Sequence, residues 1–233
     1  MHECGPHAHS GRTLAESLTT GRTGPGFTVT RRTLVGVRAD VVLVRHAEPY
    51  LPRPGGPDDY GRGLTARGHE QAQALVVDLV DPRPAAVVSS PYLRAVQTVA
   101  PTARTLDLAV LSDPLLREWD SGLEARPDYA DHYALSWADP DFTRPGGESL
   151  AELSARAVGA LRALALRFAG GTVVVGSHGT FIARAPAGFG VAVDWPLCRA
   201  MPMPARYRLT FAGDRVHASG PGLHPLDRAE RGS

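Results

Sequence analysis

From about residue 41 the chain alternates between two hydrophobic periods. Short runs rich in valine, VVLV (41–44), AAVV (85–88) and VVV (173–175), carry no polar alternation and read as strands buried on both faces. The stretches between them repeat apolar residues at helical spacing. Ala72, Leu75, Val76 and Leu79 make one such stripe, with Thr65 as its expected N-cap and Asp81–Pro82 closing it. Ser90 and Pro91 are expected as N-cap and first residue of the next helix. The pattern Ser149 to Glu152 predicts a capping box ahead of a stripe of Leu150, Leu153, Ala157, Leu161, Leu164 and Phe168, ended by Gly170 and Gly171. A helical stretch from about Phe181 follows, and YRLTF with RVHAS around Gly213–Asp214 predicts a terminal hairpin. The alternation implies an α/β fold: a mostly parallel central sheet between helical layers, in a three-layer α/β/α arrangement.

Three segments break the pattern. Residues 1–38 show no apolar period and read as a largely disordered extension, which places the folded domain at 39–220 and a tail at 221–233. The loop LPRPGGPDDYGRG (51–63) is too rich in Pro and Gly for regular structure. The stretch 125–147 reads as a lid or specificity insert. Its Tyr129, Tyr133, Trp137 and Phe142 are expected to anchor it to the core in preference to stacking on a substrate.

Composition narrows the class. A chain of 233 residues suits one catalytic domain, and 25 basic against 24 acidic residues give a net charge of +1. No global field favours nucleic acid or an anionic membrane, so any anion site must be local. Every basic residue in the Lys+Arg count is Arg, and Asn is absent. Cys4 and Cys198 form no disulfide framework or paired metal motif, and no apolar stretch suits a signal peptide or a bilayer span, so a cytoplasmic location is expected. His2, Cys4, His7 and His9 crowd together, but a solvated tail is preferred over a metal site there.

The candidate chemistry lies at the strand ends. His46 and His178 each follow a buried strand, where ligands bind in open α/β sheets, so both are expected to face one pocket. Arg94 falls in the opening turn of its helix, where a guanidinium fork, backbone donors and the helix dipole together suit a tetrahedral oxyanion. That combination points to phosphoryl transfer through histidine.

LVRHAE, LTARGHEQAQAL, SSPYLRAVQT, LREWDSG, GGESL and GSHGT stand in an order that resembles the histidine phosphatase superfamily, of phosphoglycerate-mutase-like fold, over roughly residues 40–212. The resemblance implies His46 as nucleophile, Arg45, Arg94 and His178 as the phosphate pocket, and Glu118 as proton donor, with Asp120 and Glu124 as alternative acids. Protonated His178 is expected to add a third positive group beside the two arginines. Gly179 is expected to line the substrate site, and the Pro-rich loop, with Arg53, Asp58, Asp59, Tyr60 and Arg62, to frame its entrance, its side chains either binding an anionic substrate or only capping the surface. No cofactor or metal is required by this chemistry.

Many relatives carry Ser or Thr three residues after the nucleophile and an Asn a little further on, and here those places hold Pro49 and Pro52. The expected activity is therefore that of a metal-independent, histidine acid phosphatase-type phosphomonoesterase acting on a small phosphorylated substrate. A phosphoglycerate-mutase-like phosphoryl transferase and a noncatalytic phospho-ligand binding module are the alternatives. Substrate identity and oligomeric state are not legible.

Overall fold

A computed structural model describes residues 18–19, 31–32, 34, 36–52, 59–124 and 126–223. A short antiparallel pair, β1 (Leu18–Thr19) and β2 (Arg31–Arg32), precedes the main sheet. The sheet is built from β3 (Arg38–Arg45), β4 (Ala86–Ser89), β5 (Val110–Ser112), β6 (Thr172–Ser177), β7 (Ala205–Ala212) and β8 (Arg215–Ser219), in the order β5-β4-β6-β3-β7-β8. The neighbours among β5, β4, β6 and β3 run parallel, while β7 is antiparallel to β3 and pairs with β8 through the hairpin turn at Gly213. The fold is α/β with a mostly parallel sheet.

The period-2 geometry of a strand explains why the valine runs are apolar throughout. Val41 and Leu43 of β3 pack with Val173 and Val175 of β6 on one face, against α5 (Leu150–Arg167) and α6 (Gly179–Gly188). Val42, Val44 and Val174 point to the opposite face, packed with Leu75, which follows α1 (Ala66–Ala74), with Leu79 of α2 (Val76–Leu79), and with Val99 and Ala103 of α3 (Leu93–Thr105). Strand β7 has one dry face only, where Ala205, Tyr207, Leu209 and Phe211 are buried and the residues between them are not.

Both expected helix caps on α1 and α5 form. The Thr65 hydroxyl accepts from Gly68 N, and Ser149 and Glu152 make the reciprocal capping box. Such a cap contributes about 0.5–2 kcal/mol. The stripe from Ala72 to Leu79 is buried, though the helix bends at Leu75 into α1 and α2. The start of α3 differs from expectation. Its N-cap is Tyr92, whose side chain makes no cap bond, while the Ser90 hydroxyl pairs with His178 and accepts from Tyr92 N at 3.4 Å. Arg94 nevertheless stays in the first turn.

Leu34, within the segment expected to be an extension, is fully buried in the core, and its carbonyl accepts from Val37 N. At the other end Leu223 packs on the core, and the Tyr207 hydroxyl donates to the Pro221 carbonyl at 2.9 Å. In the insert, α4 (Tyr129–Ala138) is joined to α7 (Trp195–Ala200) and to the segment after Glu118 by ring contacts. Tyr133 lies edge-on to Trp119 at 4.8 Å and to Trp195 at 5.8 Å, and Trp137 lies 6.2 Å from Trp195. Tyr129 and Phe142 remain exposed, so Tyr133 and Trp137 do the anchoring.

Candidate active site

Strands β3 and β6 are adjacent and parallel, with Arg45 paired to Ser177. The next residue of each strand is a histidine, so the two rings emerge side by side at the carboxyl edge, 5.4 Å apart between centroids. His46 N donates to the Ser177 carbonyl, which carries the ladder one step past the strand end.

His46 Nδ1 lies 2.8 Å from the carbonyl of Ala47. A carbonyl only accepts, so Nδ1 carries the hydrogen and Nε2 keeps its lone pair. Burial holds His46 down to about 3, against the pull of the Ala47 bond, with the charges of Arg94, Arg45 and Arg62 adding to the depression. The ring is neutral, with a fixed tautomer. Its backbone is fixed too: Ala47 N donates to Thr98 Oγ1 at 2.9 Å, and Thr98 Oγ1 donates to the Arg94 carbonyl at 2.7 Å.

His178 is completely buried and pairs through Nε2 with Ser90 Oγ at 2.8 Å, while Nδ1 has no partner. Burial, then the charge of Arg94, pushes its basicity well below the ordinary histidine value. This runs against the expectation of a protonated His178: burial favours the neutral ring. Tyr92 packs edge-on against it at 4.7 Å and carries the Arg94 guanidinium over its own face at 4.6 Å.

Three arginines act on His46 electrostatically, and the Nε of each is buried and without a partner. Arg45 Nη1 is held by the carbonyls of Met201 and Pro202. Its remaining edge lies over the first residue of α6, where a Cβ on Gly179 would meet Nε at 3.3 Å and Nη2 at 3.5 Å. Gly179 thus contributes closeness to Arg45. Arg94, 3% exposed, is bound by Asp59, and Arg62 donates to the Tyr50 carbonyl at 2.9 Å and to the same Asp59 carboxylate. Arg53 lies outside the described residues, as do His2, Cys4, His7 and His9.

Glu118 follows a 3-10 turn at Pro114–Leu116 and reaches the N-terminus of α6. Its carboxylate accepts from Trp119 N at 2.8 Å, Phe181 N at 3.0 Å and Thr180 N at 3.2 Å. This places it beside the turn that carries His178 and within electrostatic reach of Arg45. Asp120 and Glu124 are exposed, and the Asp120 carboxylate binds the turn at Gly122. Arg156 fixes the Glu118 segment from behind: it forks onto Glu148 with two 2.7 Å bonds and donates to the carbonyls of Leu115, Arg117 and Glu118.

Sequence reasoning missed several supporting residues. Ser90 reads as a helix cap but serves His178. Asp59 reads as part of the loop framing the substrate entrance, but its pairing with two arginines is not legible there. Gly68 and Gln71 belong to the His46 loop: a Cβ on Gly68 would sit 2.1 Å from the Glu48 carbonyl, and Gln71 Oε1 accepts from Glu48 N at 3.0 Å. The glycine and glutamine of LTARGHEQA were visible signals for that close approach. Among the described residues no group of three or more His, Cys, Asp or Glu could hold a metal ion, and no helix is long and apolar enough to cross a membrane.

The chain is 37% identical over 150 residues to the uncharacterised protein Rv0525 of Mycobacterium tuberculosis, covering 59% of this chain and 72% of that one. It is 31% identical over 153 residues to a metal-independent phosphoserine phosphatase of Arabidopsis thaliana, covering 60% and 64%. Among solved structures, a mycobacterial glucosyl-3-phosphoglycerate phosphatase complexed with VO3 superposes with a TM-score of 0.65 at 25% identity, over 80% of this chain and 99% of that one. The sequence model of the histidine phosphatase superfamily (branch 1) matches residues 41–213, a span that contains His46, Arg94, Glu118 and His178, and the chain belongs to that superfamily.

Proposed function

We propose that this protein is a phosphomonoesterase that works through a phosphohistidine on His46, without a metal. The observation that carries the reading is the fixed tautomer of His46. A lone pair on Nε2 is held among three arginines with unpartnered Nε donors. Repulsion between a nucleophile and a phosphate dianion is the main obstacle to attack, and directed guanidinium bonds to the nonbridging oxygens offset it. In the first step the Nε2–P bond forms and the ester P–O bond breaks, and Glu118 gives its proton to the leaving oxygen. In the second step Glu118 takes a proton from water as that water attacks phosphorus, the N–P bond breaks, and orthophosphate leaves. His178 takes up a proton as the dianion binds, with Nδ1 the ring atom free to donate.

The named activities of the relatives, on phosphoserine and on glucosyl-3-phosphoglycerate, support a small phosphomonoester as substrate. The positions where relatives carry hydroxyl and amide side chains are Pro49 and Pro52, and Pro49 is committed to a bridge with Leu64. That side of the pocket lends no polar side chain from those two positions, which favours hydrolysis over return of phosphate to a second substrate position. The test is phosphate release from a panel of phosphomonoesters, including an aryl phosphate, phosphoserine and phosphoglycerates, with chelator present. Release by the wild type and its loss in His46→Ala support the reading. Equal release by both removes His46 from the reaction, and interconversion of phosphoglycerates without net release makes the protein a transferase.

A further inference from the structure

Asp59 stands within the Pro-rich loop, half exposed, yet it contacts the most buried arginine of the site. Its backbone carbonyl accepts from Arg94 Nη1 at 2.7 Å, and its carboxylate takes Nη1 at 3.2 Å and Nη2 at 3.1 Å. The carboxylate therefore occupies the end-on edge of the Arg94 guanidinium and leaves the Nε side unpartnered. The same carboxylate receives Arg62 Nη2, and the Nε of Arg62 is also buried without a partner. The adjoining backbone docks on α3, since Leu93 N donates to the Tyr60 carbonyl at 2.9 Å.

We propose that Asp59 is a positioning residue for phosphate binding: it clamps Arg94 and Arg62 by their terminal nitrogens and turns their Nε edges toward the incoming phosphoryl group. The inference rests on the phosphatase reading above and adds a part to it. A carboxylate near a bound dianion also repels it. Asp59 is half exposed and screened by water, whereas the Arg94 fork is almost wholly buried, so the gain from fixing the fork exceeds the loss from the extra charge. Burial raises the Asp59 carboxyl, but the hydrogen bonds and charges of Arg62 and Arg94 outweigh burial and hold it below the ordinary value, so the clamp is ionised at neutral pH.

The opposite reading makes Asp59 an internal anion that phosphate must displace. The two differ in sign. As a clamp, Asp59→Ala weakens binding of orthovanadate and orthophosphate by about tenfold or more, raises KM, and lowers kcat less. Asp59→Glu restores part of the affinity, because its carboxylate can still take a guanidinium edge. In an Arg94→Ala background the further effect of Asp59→Ala shrinks to what Arg62 alone transmits. Thermal unfolding of each variant checks that the fold is kept. Tighter orthovanadate binding by Asp59→Ala overturns the proposal in favour of displacement. A loss that persists undiminished in Arg94→Ala overturns it as well.

A second measurement does not depend on turnover. The Arg94 Nε–H resonance, assigned by its loss in Arg94→Ala, is expected as a distinct, slowly exchanging NMR signal in the wild type. It should broaden or move to the free-guanidinium position in Asp59→Ala, and an unchanged signal overturns the clamp. If the wild type binds neither oxyanion, the phosphatase reading fails while this signal still reports on the clamp.

Discussion

Ser90 and His178 are joined by a 2.8 Å bond between the hydroxyl and Nε2, across 88 residues of sequence and with both side chains fully buried. The bond fixes the ring of the second histidine and leaves Nδ1 as its one unpartnered nitrogen. Ser90→Ala removes that orientation without removing the ring. We expect orthophosphate affinity and kcat/KM to fall about tenfold, with stability lowered by about 1–3 kcal/mol for the buried nitrogen left unpaired. Steady-state kinetics and urea unfolding measure the two effects, and unchanged kinetics in a folded variant would show that His178 needs no such orientation.

Glu118→Gln keeps one acceptor oxygen for Trp119 N and Phe181 N, sets its NH2 toward Thr180 N, and cannot carry the transferred proton. The rate on alkyl phosphates should fall by about 10²–10⁴, and on activated aryl phosphates much less, because their leaving groups need less protonation. A plot of kcat/KM against leaving-group pKa for both proteins tests this. Parallel lines would move the acid role to another residue, and Asp120→Asn and Glu124→Gln, expected to be nearly silent, would be the next variants to compare.

The two buried histidines make stability depend on pH in a defined direction. In the unfolded chain each titrates near 6.5, whereas in the folded protein burial holds His46 down to about 3 and His178 well below 6.5. Below pH 6.5 the unfolded state therefore binds more protons. Stability present above that pH is lost as the pH falls, at up to about 1.4 kcal/mol per pH unit for each histidine. For His46 the loss continues until the pH approaches 3. Urea midpoints from pH 7 to 4.5 should fall less steeply in His46→Ala than in the wild type. Identical slopes would mean that His46 is not held neutral by the fold.

Gly68 lies on α1 where the helix presses on the loop after His46, and a Cβ there would stand 2.1 Å from the Glu48 carbonyl. Since backbone must move, Gly68→Ala should destabilise the protein by about 1–3 kcal/mol. The rate should fall as well, because Ala47 and Glu48 shift with His46. Denaturant unfolding and kcat/KM on the same preparation check both. A neutral substitution would show that the contact can relax away from the site.

Much of the site was legible because its parts sit at strand ends. The valine runs of β3 and β6 marked buried strands, and a parallel register of Arg45 with Ser177 brings His46 and His178 together without help from any loop. Ser90 was misread for a physical reason: a serine ahead of a proline is also a common helix start, and only tertiary contact decides between capping α3 and bonding His178. Asp59 lies 35 residues before Arg94 in a segment with no period, so nothing local pairs it with α3. Leu34 opens the run Leu34-Val35-Gly36-Val37, which is too short to show a period, and its burial depends on the finished sheet.

The most direct test is to mix the protein with a turned-over phosphomonoester, quench within the first turnovers, and map covalent phosphate by mass spectrometry under alkaline conditions that preserve phosphohistidine. An acid-labile phosphate on the peptide that contains His46, absent in His46→Ala together with turnover, is the predicted result. Steady turnover with no phosphate on His46, or activity retained in His46→Ala, would contradict it.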